Sequence, residues 1–132
     1  LEGMIVVKEA IRDGQPIQLD QLLDDIARKV IIEALHKAGG NKNEAAQILG
    51  MTFRSLRYRL EKMNIPEKLA RPAVSYMDLY NITSLDDFLK KIETEAINEV
   101  LKQSGRNKSE AAELLGITFR SLRYRCEQYG ID

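Results

Sequence analysis

The octapeptide TFRSLRYR occurs twice without change, as Thr52 to Arg59 and as Thr118 to Arg125, with 66 residues between equivalent positions in a chain of 132. Shifting the chain against itself by that offset pairs Leu19 to Ile65 with Leu85 to Ile131 without a gap, about half the positions being identical. Such self-similarity dictates architecture more strongly than any local propensity, because each copy must be one supersecondary unit.

Each copy reads as three helices, which makes the fold class all-α, two three-helix units. In the first, Leu22, Leu23, Ile26, Val30, Ile31, Ala34 and Leu35 recur at three- and four-residue steps, predicting a helix from about Leu19 to Ala38 that Gly39 and Gly40 stop. Phe88, Leu89, Ile92, Ala96, Ile97, Val100 and Leu101 give the counterpart, Leu85 to Ser104, before Gly105. Twenty residues make a rod of roughly 30 Å. Val30 and Ile31 widen its apolar stripe beyond what one short helical pair can cover.

The second helix opens at Asn41 or Asn107, with Glu44 or Glu110 three residues on, a variant of the capping box, and closes at Gly50 or Gly116. Thr52 and Thr118 then cap a third helix, Phe53 to about Met63 and Phe119 to about Tyr129. A short helix, a glycine turn and another short helix form the helix-turn-helix pattern.

The expected boundaries are a segment 1–18, a unit 19–65, a connector 66–84 and a unit 85–132. The connector's nineteen residues reach roughly 60 Å if extended. Its apolar Tyr76, Met77, Leu79, Tyr80 and Ile82 predict that it packs on the helical body or forms a short helix. In the first segment, Ile5, Val6, Val7, Ala10 and Ile11 are compatible with a short helix.

On a helical wheel the third helix buries Leu56, Leu60, Phe53 and Met63, and turns outward Arg54, Ser55, Tyr58 and Lys62, with Arg57 and Arg59 on the flanks. A cationic face carrying a hydroxyl and a phenol suits phosphates and base edges. A major groove admits one helix, Arg can pair bidentately with guanine, and the helix N-terminus favours a phosphate. A solvated basic face is the bland alternative for one such helix; the cap, the glycine turn and the repetition weigh against it. Phe53 and Phe119 admit two places, the core or a thymine methyl, and core is the better reading.

Lys+Arg and Asp+Glu are both 20, so formal charge is zero, which argues against a general polyanion binder held by bulk charge. One cysteine and one histidine exclude an intramolecular disulfide and a metal cluster of the usual type, and no cofactor is expected. Cys126 stands where the first copy has Leu60 and reads as a small apolar filler; His36 reads as a surface residue. No phosphate-binding glycine loop and no nucleophile near a histidine speak for an enzyme. No apolar run spans a bilayer, the start at Leu1 does not read as a signal peptide, and a piece of a longer protein or a tag scar is the expectation, with a cytoplasmic setting.

The two stretches GGNKNEAAQILGMTFRSLRYRLEKMNI and GRNKSEAAELLGITFRSLRYRCEQYGI, each after a long helix, resemble the Fis family and the C-terminal domains of bacterial enhancer-binding activators of the NtrC type. The octapeptide is most similar to regulators of type IV pilus genes, and the first 22 residues look like the end of the ATPase lid that precedes this domain in such activators. The resemblance implies that Thr52, Phe53, Arg54, Ser55, Arg57, Tyr58 and Arg59 enter or border the major groove, with Asn41 and Asn43 by phosphates. In the second copy the same roles fall to Thr118, Phe119, Arg120, Ser121, Arg123, Tyr124, Arg125, Asn107 and Ser109. Phe53 and Phe119 depart from the base-contacting Arg of Fis itself, which affects base preference.

The implied partner is double-stranded DNA with two similar half-sites, and through the parent protein an ATPase domain and the sigma-54 polymerase machinery. The family pairs its long helices between two chains. Here the same physics predicts an intramolecular pseudo-dimer, or a homodimer of whole chains. A protein-interaction module or a nonspecific DNA-architectural module is the alternative function.

Overall fold

The computed structural model describes residues 5–12, 14–66 and 75–132. These form eight α-helices: α1 (Ile5–Ala10), α2 (Leu19–Lys37), α3 (Lys42–Ile48), α4 (Phe53–Lys62), α5 (Tyr76–Tyr80), α6 (Leu85–Gln103), α7 (Lys108–Leu115) and α8 (Phe119–Tyr129). No strand occurs among the described residues, and no described helix is long and apolar enough to cross a membrane. Each repeat thus supplies a long helix and a helix-turn-helix pair, α3 with α4 and α7 with α8.

Most of the periodic positions of the long helices are buried, while Leu22, Leu23, Leu35 and Leu89 are half-buried. Ile26, Val30, Ile31 and Ala34 in α2, and Ile92, Ala96, Ile97 and Leu101 in α6, are withdrawn from water. Val30 and Ile31 are consecutive and both buried, as the widened stripe requires.

The chain divides into two compact units, one formed by Leu1–Leu23 with Lys90–Asp132, the other by Asp24–Leu89. Each helix-turn-helix is therefore grouped with the first turn of the other repeat's long helix. In the first unit the lead-in to α2 meets the end of α7, where the Ile17 amide donates to the Leu114 carbonyl at 2.7 Å. In the second unit the Leu85 amide, at the start of α6, donates to the Leu49 carbonyl at 2.9 Å. Leu19 and Leu85 are fully buried. Each contributes roughly 2 kcal/mol by leaving water.

The turn glycines permit this approach. Gly50 and Gly116 both have φ 66°, in the left-handed region that side chains with a Cβ avoid. A Cβ at Gly50 would stand 2.7 Å from the Thr83 carbonyl oxygen, and one at Gly116 2.8 Å from that of Ile17. The glycine stops the helix and also leaves room for a foreign backbone.

The described part of the connector, residues 75–84, forms the short helix that its apolar cluster predicts. Ser75 caps the short α5, its side chain accepting from the Asp78 amide. Met77 and Ile82 are buried, and the Tyr80 ring lies 5.3 Å from that of Phe88, while Leu79 stays exposed. Glu33, buried on α2, accepts from the Ser75 hydroxyl and from the Met77 amide at 3.2 Å, so a carboxylate satisfies orphan donors at the start of α5. Residues 67–74 of the connector lie outside the described residues, as do residues 1–4 of the first segment.

Candidate nucleic-acid interface

Both helix-turn-helix pairs are built by the same local devices. The Asn41 side-chain oxygen accepts from the Glu44 amide at 3.1 Å, and that of Asn107 from the Glu110 amide at 3.0 Å. Only this half of the expected capping box forms. The Asn41 and Asn107 amides, which the Glu side chains would have capped, donate instead to the Ala38 and Ser104 carbonyls, because the tight turn after each long helix brings a backbone acceptor to them first. Thr52 and Thr118 then accept from the Ser55 and Ser121 amides at 3.0 Å, starting α4 and α8 at the predicted residues. Each such cap stabilises its helix by about 1 kcal/mol.

Leu56 and Leu122 anchor α4 and α8 with fully buried side chains, and Cys126 is buried in the place of Leu60. Burial raises the Cys126 thiol pKa, opposed by the nearby Lys108 charge, which keeps the sulfur protonated and apolar in character. His36 is exposed on the last turn of α2.

Phe53 and Phe119 correct the expectation of a core position: they are 39% and 47% exposed. Each is the first residue of its helix, and helical side chains lean toward the N-terminus. A residue there projects past the end of the helix pair, and Leu56 and Leu122, one turn on, take the burial. The aromatic rings thus join the exposed face.

That face also holds Arg54, Arg57 and Tyr58 in one copy and Arg120, Arg123 and Tyr124 in the other, all exposed, with both tyrosines above 60%. Arg54 and Arg120 make no ion pair to any described residue. Arg57 and Glu61, and likewise Arg123 and Glu127, approach to 3.6 Å on the surface, a pairing worth little in water that leaves the guanidinium exchangeable. Lys62 lies 5.8 Å above the Tyr58 ring. Asn41, Asn43, Thr52, Asn107, Ser109 and Thr118 are exposed beside this face, while Ser55 and Ser121 are half-buried.

Arg59 and Arg125 stand apart. Sequence reasoning placed them on the flanks of the outward face, but both fold back onto carboxylates. Arg59 pairs with Asp86, in the first turn of α6. Arg125 donates to Glu93 at 2.7 Å and to the Ser121 hydroxyl at 3.1 Å, and pairs with Asp20 in the first turn of α2 at 3.0 Å. The Tyr129 hydroxyl donates to the other Glu93 oxygen at 2.5 Å. That hydrogen bond, helped by burial, pushes the phenol up to about 12. The partners Asp20, Asp86, Glu93 and Tyr129 were missed. The identity of Asp20 with Asp86 at the repeat offset was the one signal that could have marked two of them.

No group of His, Cys, Asp or Glu among the described residues could hold a metal ion. The exposed face instead offers guanidinium groups, amides, hydroxyls and aromatic rings, which is chemistry for binding anions and flat rings.

Comparison with known proteins agrees with this geometry. The family described as "Bacterial regulatory protein, Fis family" matches twice, at residues 22–63 and 88–129. The chain is 53% identical over 47 residues to the response regulator protein PilR of Pseudomonas aeruginosa, covering 36% of this chain and 11% of that protein. It is 41% identical over 49 residues to the regulatory protein AtoC of Escherichia coli, covering 37% and 11%. With the transcriptional regulatory protein ZraR, from another Escherichia coli strain, identity is 44% over 52 residues, covering 36% and 12%. The chain thus spans about a ninth of the length of these curated relatives, and no solved structure matches it. Two matches that together take in more than half of the chain, each on a capped helix-turn-helix, show that it belongs to the Fis family of bacterial regulatory proteins.

Proposed function

We propose that this chain binds double-stranded DNA in a bacterial transcription regulator, laying α4 and α8 in the major groove at two similar half-sites. The observation that carries this reading is the duplicated exposed face. Arg54, Arg57 and Tyr58 recur as Arg120, Arg123 and Tyr124, each set displayed from a helix whose opposite side is pinned by a buried leucine. Two identical reading surfaces call for two copies of one target.

The roles divide by chemistry. Arg57 and Arg123 neutralise phosphates, Asn41, Asn43, Asn107 and Ser109 approach the backbone, and Arg54, Arg120, Ser55, Ser121, Tyr58 and Tyr124 face base edges. Phe53 and Phe119, being exposed, are placed to touch a thymine methyl. Binding by position rather than by bulk charge agrees with a net charge of zero.

In this reading the long helices pair within the chain, or between two whole chains, and the target holds two half-sites about one DNA turn apart, roughly 34 Å. Inverted half-sites follow if the copies are related by a twofold, direct repeats if they are stacked head to tail. In the parent protein that the resemblance to enhancer-binding activators implies, this part addresses the DNA in the cytoplasm and an ATPase domain acts on sigma-54 polymerase. Chemistry is left to that other part.

The test is a titration of duplex DNA at several salt concentrations with the unsubstituted chain and with Arg57→Ala combined with Arg123→Ala. Loss of two phosphate contacts flattens the slope of log K against log salt by about 1.8. An unchanged slope, with the variant still folded, would refute the phosphate assignment.

A further inference from the structure

The two copies share their octapeptide but not what surrounds its last arginine. At the repeat offset, Glu93 corresponds to Ala27 and Tyr129 to Met63. Arg125 is therefore held by two carboxylates and a serine hydroxyl, with Glu93 itself fixed by Tyr129. Arg59 has a single carboxylate partner, Asp86, whose side chain is 64% exposed. One further difference points the same way: Lys62 of α4 corresponds to the neutral Gln128 of α8.

We infer that the two reading helices are unequal, with Arg59 serving as a phosphate ligand and Arg125 as a positioning residue that never reaches DNA. The inference rests on the DNA-binding reading above. A lone pair to an exposed carboxylate is weak, so a duplex phosphate, which carries full charge and is met at short range, displaces Asp86 from Arg59. The Glu93 side chain is only 11% exposed. Withdrawing Arg125 would leave that carboxylate buried without its countercharge, which costs more than a surface phosphate contact returns.

The consequence is functional asymmetry in a chain whose reading residues are identical. The first copy, with Arg59 and Lys62, anchors the protein on one half-site through salt-sensitive contacts. The second, with Arg125 clamped, presents the same base-reading face on a stiffer helix with fewer phosphate contacts.

The experiment measures the salt slope of binding to a mixed-sequence duplex of about 30 base pairs, long enough for both helices. The chains compared are the unsubstituted protein, Arg59→Gln, Arg125→Gln and Glu93→Ala, each checked for folding by thermal unfolding. Arg59→Gln should flatten the slope by about 0.9 and Arg125→Gln should leave it unchanged. Glu93→Ala gives Arg125 the surroundings of Arg59, with alanine where Ala27 stands, and should steepen the slope by about 0.9. That gain is one a merely structural role would not produce, and it can be read even where Arg125→Gln does not fold. Equal flattening by both arginine variants, or no steepening in Glu93→Ala, would overturn the inference while leaving DNA binding intact. Absence of salt-dependent duplex binding by the unsubstituted chain would remove the functional reading and this inference with it.

Discussion

Replacing Gly116 by alanine separates two roles that one residue performs, and Gly105 supplies the control within the same unit. Both glycines have positive φ, 66° and 64°, so alanine at either suffers the left-handed penalty, roughly 1 to 2 kcal/mol. At Gly105 the new methyl meets nothing within 4 Å. At Gly116 it meets the Ile17 carbonyl at 2.8 Å, a backbone atom that can yield only by moving the lead-in to α2. That movement breaks the 2.7 Å hydrogen bond from Ile17 to Leu114 and disturbs the packing of a fully buried Leu19. A lost hydrogen bond costs about 1 kcal/mol and overpacking about 1 to 3. Urea unfolding followed by far-UV circular dichroism should therefore show Gly116→Ala less stable than Gly105→Ala by roughly 2 to 4 kcal/mol. Equal losses would refute the claim that the other repeat's lead-in docks on the helix-turn-helix through this glycine.

Cleaving the chain between Pro66 and Ser75 should yield halves that are weakly helical alone and recover helicity on mixing, because each compact unit draws residues from both sides of the cut; two independently stable halves would contradict the exchange. Thr52→Ala and Thr118→Ala should each cost about 1 kcal/mol in chemical unfolding by removing an amide acceptor. The Tyr129 phenol is raised from 10.0 to about 12 by donating to Glu93, so its contribution is fully present below the unfolded value and is lost as pH climbs through the folded one. Stability measured between about pH 10 and 12 should fall, and Tyr129→Phe should remove that part of the slope.

Local chemistry made the helix-turn-helix legible. Asn41, Thr52, Asn107 and Thr118 act within three residues of themselves, and their caps form where the sequence puts them. The long-helix stripes were legible for the same reason, since a 3.6-residue period is written in consecutive residues. What lay beyond reach was distant pairing. Arg59 meets its carboxylate 27 residues away, and Arg125 meets carboxylates 32 and 105 residues away. A helical wheel places an arginine on a flank and cannot say that an acid from another helix waits there. Phe53 fell between the two cases: the wheel gave its angle correctly, but angle alone ignores that a first-turn side chain leans off the end of the helix.

The relation of Asp20 to Asp86 joins these lessons. Both are identical at the repeat offset, both open a long helix, and each pairs with the last arginine of the other copy's octapeptide. The duplication therefore preserved a contact between copies as well as the exposed basic face. Glu93 and Tyr129 are where the second copy departs, and the departure concerns how α8 is held rather than what it displays.

The most direct test of the central claim, two identical reading helices on one chain, is selection of bound sites from random duplex DNA with the intact protein at a fixed salt concentration. Two identical helices on one chain should enrich one short motif occurring twice at a constant spacing near one helical turn, about 10 base pairs between centres, its orientation giving the symmetry of the pair. Enrichment of a single isolated motif, or of none, would contradict that claim.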